Sequence, residues 1–155
     1  MIRTLVEKIT QVIQEPETDR EAERDRALRL ATAVLMADVA RADYDFDEDE
    51  FTKLLDLVQL HFGLSAEDAT QLANEASEVA EDLVSLHEFT SLLHKNLGET
   101  EKEEVVALLW RIAYADGSLD KYEDSLVLKI SDLLYVSRGR VMQLKAEAQA
   151  AAASS

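Results

Sequence analysis

Two phrases decide the fold: "ARADYDFDEDEFTKLL", residues 40–55, and "AYADGSLDKYEDSLVL", residues 113–128. Each runs from an apolar segment through closely spaced carboxylates into another apolar segment. Val39-Ala40-Arg41-Ala42-Asp43 aligns with Ile112-Ala113-Tyr114-Ala115-Asp116 at an offset of 73 residues, and the match continues through Phe46 with Leu119, Asp47 with Asp120 and Glu50 with Glu123. With a one-residue slip, Phe62-Gly63-Leu64-Ser65 stands against Tyr135-Val136-Ser137. The phrases read as one helix-to-helix turn written twice. The expected fold is therefore all-α, a compact bundle of about seven helices with an internal duplication of a three-helix unit, its copies near 27–80 and 100–152. Neither amphipathic set closes a core alone, so the copies are expected to pack with pseudo-two-fold character in a single domain over 1–155.

Working outward, Ile2, Leu5, Val6, Ile9, Val12 and Ile13 recur at helical spacing over residues 1–15, and Pro16 ends that amphipathic helix. Its stripe packs on the rest of the chain, docks on a partner or lies on a membrane. Thr18 with Glu21, Ser85 with Glu88 and Thr100 with Glu103 have capping-box spacing. The helix after Thr18 is charged at first, then carries an apolar stripe from Ala27 to Ala42. Gly63 and Gly98 read as helix stops, and Ser65 and Ser137 as caps. The last helix is expected to fray into "AAAASS".

Composition agrees with this reading. Only 4 glycines and 1 proline stand among 155 residues, too few to turn a sheet. With 32 acids against 16 bases the formal charge is -16, which repels phosphate backbones and disfavours nucleic acid. Basic proteins or cations are the natural partners; a protein partner, basic or membrane-associated, is expected, and a homodimer stays open. The absence of cysteine excludes disulfides, thiolate metal sites and a cysteine nucleophile. Glu7 and Lys8 interrupt the apolar pattern of the N-terminus, and no segment reaches the apolar length of a membrane span. The expected compartment is the cytoplasm, without membrane insertion.

The acidic phrases invite comparison with a calcium loop. Asp43, Asp45 and Asp47 occupy positions 1, 3 and 5 of an EF-hand, but Glu48 stands where the turn requires glycine and Leu54 where a bidentate glutamate is required. Local capping explains more. Asp47 and Glu50 have N-cap to N3 spacing, as do Asp120 and Glu123, and Phe46 and Leu119 precede them as hydrophobic staples. Asp43 and Asp116 are not explained so, because each ends a helix where the dipole disfavours a carboxylate. Two related sites for a divalent cation (Ca2+, Mg2+ or Mn2+) follow as a hypothesis: Asp43, Asp45, Asp47 and Glu50 in one, Asp116, Asp120 and Glu123 in the other. No cofactor is otherwise implied.

Asp38 lies beside the apolar stripe, and Arg111 occupies the matching place in the second copy, which suggests an ion pair between copies. His87 and His94 share a helix face without a third ligand at matched distance. Trp110, Tyr114, Tyr122 and Tyr135 are expected mainly in the core. No nucleophile, base and orienting group assemble from the pattern, so the chain is expected not to be an enzyme.

The twice-used pattern of apolar helix, A-D-G, apolar residue and D-x-x-E resembles the tellurite-resistance TerB family, whose wider superfamily includes the N-terminal domain of the DjlA co-chaperones. It is carried by "ATAVLMADVARADYDFDEDEFTKLL", "HFGLSAEDA" and "VVALLWRIAYADGSLDKYEDSLVLKISDLLYVS", and covers roughly residues 25–145. Tyr44 departs from the family's glycine. The resemblance implies an internally duplicated helical bundle without established catalytic activity, associated with tellurium-compound resistance and stress systems and with metal-dependent or scaffolding roles. Its acidic positions fall on Asp43, Asp47, Glu50, Asp116, Asp120 and Glu123. The leading expectation is a non-enzymatic acidic scaffold domain; a cation-binding or cation-sensing module is the alternative.

Overall fold

The structure, a computed structural model, describes residues 17–42, 47–115 and 119–154. The amphipathic stretch 1–15 and the turn residues Asp43, Tyr44, Asp45, Phe46, Asp116 and Gly117 lie outside the described residues. Among those described there are seven helices: α1 (Glu17–Ala40), α2 (Glu48–Phe62), α3 (Ala66–Glu81), α4 (His87–Asn96), α5 (Glu99–Ala113), α6 (Lys121–Leu133) and α7 (Arg138–Ser154). The bundle is all-helical.

The central element is α1, which packs against α2, α3, α4, α5 and α6. Its sequence explains the position. From Leu30 to Ala40 every residue is buried except half-buried Asp38, because "LATAVLMADVA" is apolar on every face and such a helix is stable only when surrounded. Thr32 joins this core with its hydroxyl donated to the Leu28 carbonyl at 2.9 Å. Helix α5 is a second hub, touching α1, α2, α6 and α7. Trp110, Phe89, Leu35, Met36, Leu54 and Leu109 are among the largest fully buried side chains. Burial of each aromatic or branched side chain is worth about 1.5–3 kcal/mol, so these positions carry the fold. Trp110 also donates its indole N–H to the Val141 carbonyl at 3.1 Å, pinning α7 to α5.

Several helix ends follow their local chemistry. Asp47 accepts from the Glu50 N–H at 2.9 Å, Ser65 from Asp68 at 3.1 Å, Asp120 from Tyr122 at 2.7 Å and Ser137 from Arg140 at 3.3 Å. Gly63 ends α2 with φ 62, in the left-handed conformation that glycine takes without steric cost.

Other ends correct the expectation. Helix α1 already begins at Glu17, so Thr18 sits inside its first turn rather than at its cap. Gly98 does not stop α4 but caps α5, and the Glu101 carboxylate accepts the Gly98 N–H at 3.0 Å. Thr100 and Glu103 are therefore not a capping box; Glu103 instead meets Arg140 of α7 at 2.5 Å, a charge-assisted bond that outweighs a local one. Ser85 accepts from the His87 N–H at 3.2 Å, one residue before the cap position held by Leu86. Helix α7 runs through the alanines to Ser154, in keeping with alanine's helix propensity. Among the aromatics, Trp110 and Tyr114 are buried, whereas Tyr122 and Tyr135 are exposed.

Candidate functional site

The described parts of the two acidic junctions are their helix starts. Asp47 has extended backbone (φ -98, ψ -176) and spends one carboxylate oxygen on its helix's free N–H groups; Asp120 does the same at φ -79, ψ 143. Glu50 is half-buried and Glu123 is buried, 5% exposed, in the first turn of α6. An open cavity of about 450 Å³ lies over Asp47, Glu48, Phe51 and Thr52. Asp43, Asp45 and Asp116 lie outside the described residues, so neither complete cation set is on view. Among the described residues no three His, Cys, Asp or Glu side chains converge as metal ligands.

Asp38 is half-buried in α1, and burial raises its pKa above the usual carboxylate range, while the charges of Arg41 and then Lys129 oppose that rise. Arg111 is exposed, and a pair between Asp38 and Arg111 is not among the ion pairs of the described residues. Lys129, on α6, acts on Asp38 through its charge.

The histidines have separate partners: His87 Nε2 lies 3.4 Å from the Ser91 hydroxyl and His94 Nδ1 lies 2.7 Å from Lys102 Nζ. Lys102, buried to 7% exposure, is a polar core residue that sequence reasoning missed. Its position four before Val106 on the apolar face of α5 was the available signal.

The net charge also has a location that the total concealed. From Asp47 to Glu88 twelve carboxylates stand with one base, Lys53. All but half-buried Glu50 and Glu75 are exposed, and they line α2, α3, the turn that follows and the first turn of α4. Arg41 reaches Glu81 at 3.7 Å. The second half is different: Glu103, Asp124 and Asp132 are met by Arg140, Lys145 and Arg138 at 2.5, 2.7 and 2.9 Å.

An all-helical domain whose exposed carboxylates are concentrated on α2 and α3 is the class that these features define. Residues 29–146 match the family model described as "Tellurite resistance protein TerB", and the chain belongs to that family. No curated protein and no solved structure matches it. Among the described residues no helix is long and apolar enough to cross a membrane.

Proposed function

We propose that this chain is a non-enzymatic acidic interaction domain of a stress or tellurite-resistance-like system, presenting α2 and α3 to a basic protein partner. The observation that carries this reading is the run from Asp47 to Glu88, with twelve carboxylates and one base. Exposed like charges within about 8 Å of one another repel at physiological salt, and a cationic partner relieves that repulsion on binding. The compensated acids of α5, α6 and α7 offer no such gain. A cytoplasmic location, free or at the surface of a membrane-associated partner, fits this role.

The reading includes an internal duplication, which two relationships support. Helices α1, α2 and α3 all touch one another, as do α5, α6 and α7, and α1 meets α6 as α2 meets α5. That is the contact pattern of a pseudo-two-fold axis between two three-helix units.

A second reading rests on Glu123, which is buried in the first turn of the helix that Asp120 caps. Carboxylate oxygens suit Ca2+, Mg2+ or Mn2+, and a capping carboxylate keeps one oxygen for a cation. With Asp116 these residues would hold it, and Asp43, Asp45, Asp47 and Glu50 would form the related site.

Capture of a lysine- and arginine-rich peptide by the immobilised chain, with and without chelator, separates the two. Capture that survives chelator supports the acidic surface alone. Capture lost with chelator and in the Asp120→Asn, Glu123→Gln double variant, at unchanged melting temperature, transfers the function to the cation site. No capture under either condition removes both.

A further inference from the structure

Granted the acidic face as a docking surface, we propose that its partner segment is a basic amphipathic helix that lies along α2 and sets an apolar side chain over Leu60. Asp49, Lys53, Asp56 and Leu60 are exposed and follow one another at steps of four, three and four residues. At 3.6 residues per turn those steps keep all four within about 60° of one another, on one outward stripe of α2. On α3, which packs against α2, Glu67, Gln71, Asn74 and Glu78 repeat the same steps and are exposed as well.

Leu60 is the residue that charge does not explain. It is 77% exposed, and among the described residues of α2 and α3 no other large apolar side chain is exposed. Phe62 and Leu64, on either side of Gly63, are themselves only half-buried, so the end of α2 is apolar where the rest of its outer stripe is charged. A pure polycation gains nothing from Leu60. A helix with one apolar side chain set among its bases does gain, because covering Leu60 removes apolar surface from water beside the charge contacts.

The stripe also sets the partner's pattern. At 1.5 Å rise per residue, Asp49, Lys53, Asp56 and Leu60 stand at about 0, 6, 10.5 and 16.5 Å along α2. A helix laid beside it at the usual separation of about 8–10 Å meets those places in turn, and the complementary residues are basic, acidic, basic and apolar. The same rise governs the partner, so its matching residues recur at steps of four, three and four. That sequence of steps reads alike in both chain directions, and the order of residue types alone distinguishes a parallel from an antiparallel partner.

The test is isothermal titration of the full chain with helical peptides of equal composition: two that carry the pattern, one for each chain direction, and one in which it is shuffled. One patterned peptide should bind at least about tenfold more tightly than the shuffled one, as burial of a leucine implies. Leu60→Ser should bring that peptide down to the level of the shuffled one and, because the residue is exposed, should leave circular dichroism unchanged. Replacing the peptide's apolar residue by serine should have the same effect on the wild type and none on Leu60→Ser. Equal binding of patterned and shuffled peptides, or a Leu60→Ser chain that binds the patterned peptide as the wild type does, overturns the helical partner while leaving the acidic face in place. No binding of any peptide overturns the face itself. A wild type that sediments as a dimer, with Leu60→Ser a monomer, gives Leu60 to a second copy of the chain and overturns the proposal.

Discussion

Gly63 and Tyr135 hold the same left-handed backbone, at φ 62 and 61, and each stands two residues before the serine that caps the next helix. In both, the following N–H reaches back five residues, Leu64 to Gln59 at 3.1 Å and Val136 to Ser131 at 3.2 Å. The turn is repeated although the residue is not.

Substitution at these two places should therefore reverse the usual preference for alanine over glycine in ordered backbone. A β-carbon at Gly63 meets nothing within 4 Å, so Gly63→Ala should lose about 1 kcal/mol from conformation alone. At the other turn Tyr135→Gly should be more stable than Tyr135→Ala by about 1 kcal/mol. Urea unfolding of the three variants measures both differences.

The start of α5 gives a second check. Because Glu101 rather than Glu103 reaches back to the cap, Glu101→Ala should cost about 0.5–1 kcal/mol, whereas Thr100→Ala should change stability by less than about 0.5 kcal/mol. If Thr100→Ala proved the costlier in denaturant unfolding, the cap would belong two residues later.

How much was legible follows from these ends. Caps made by one side chain and the next turn, at Asp47, Ser65, Asp120 and Ser137, are local chemistry and were readable. Thr100 with Glu103 and Gly98 with Glu101 offered the same spacing in two registers, and Arg140, 37 residues away, drew Glu103 out of the choice. The left-handed turn at Tyr135 was hidden by a residue type that argues against it. The encircled position of α1 depends on how many helices surround it, which a stripe of apolar residues understates. Of the candidate cation residues, Asp47, Asp120 and Glu123 were found at the helix starts expected of them. The acidic run from Asp47 to Glu88 stands in the sequence itself, and the structure adds that all of its carboxylates but Glu50 and Glu75 are exposed.

Trp110 joins α5 to α7 through packing and one hydrogen bond, and the Lys145 ammonium lies 5.2 Å from its ring. Trp110→Phe removes the bond and part of the buried volume. It should cost about 2 kcal/mol in chemical denaturation while leaving helical circular dichroism unchanged in the absence of denaturant.

Asp38 gives a pH dependence of defined sign. Burial raises its folded pKa above the unfolded value, so the folded state binds the proton more readily and the ionised group destabilises the fold. The penalty is full above the raised folded pKa and vanishes as pH falls through it to below the unfolded value. Asp38→Asn should be more stable than wild type near pH 7, with an advantage that shrinks toward about pH 4. Urea midpoints for the two proteins across that range report it; a variant less stable at neutral pH would mean that Arg41 and Lys129 outweigh burial.

The acidic face is tested most directly by isothermal titration of the full chain with a lysine- and arginine-rich peptide, using two variants of equal net charge. One neutralises Asp49, Asp56, Glu67 and Glu78 on α2 and α3, and the other Glu21, Glu99, Glu104 and Glu147 elsewhere; all eight are exposed. The wild type should bind in a salt-sensitive way, the first variant at least about tenfold more weakly, and the second within about twofold of wild type. Equal loss in both variants, or no binding by the wild type, would contradict a partner-facing surface on α2 and α3.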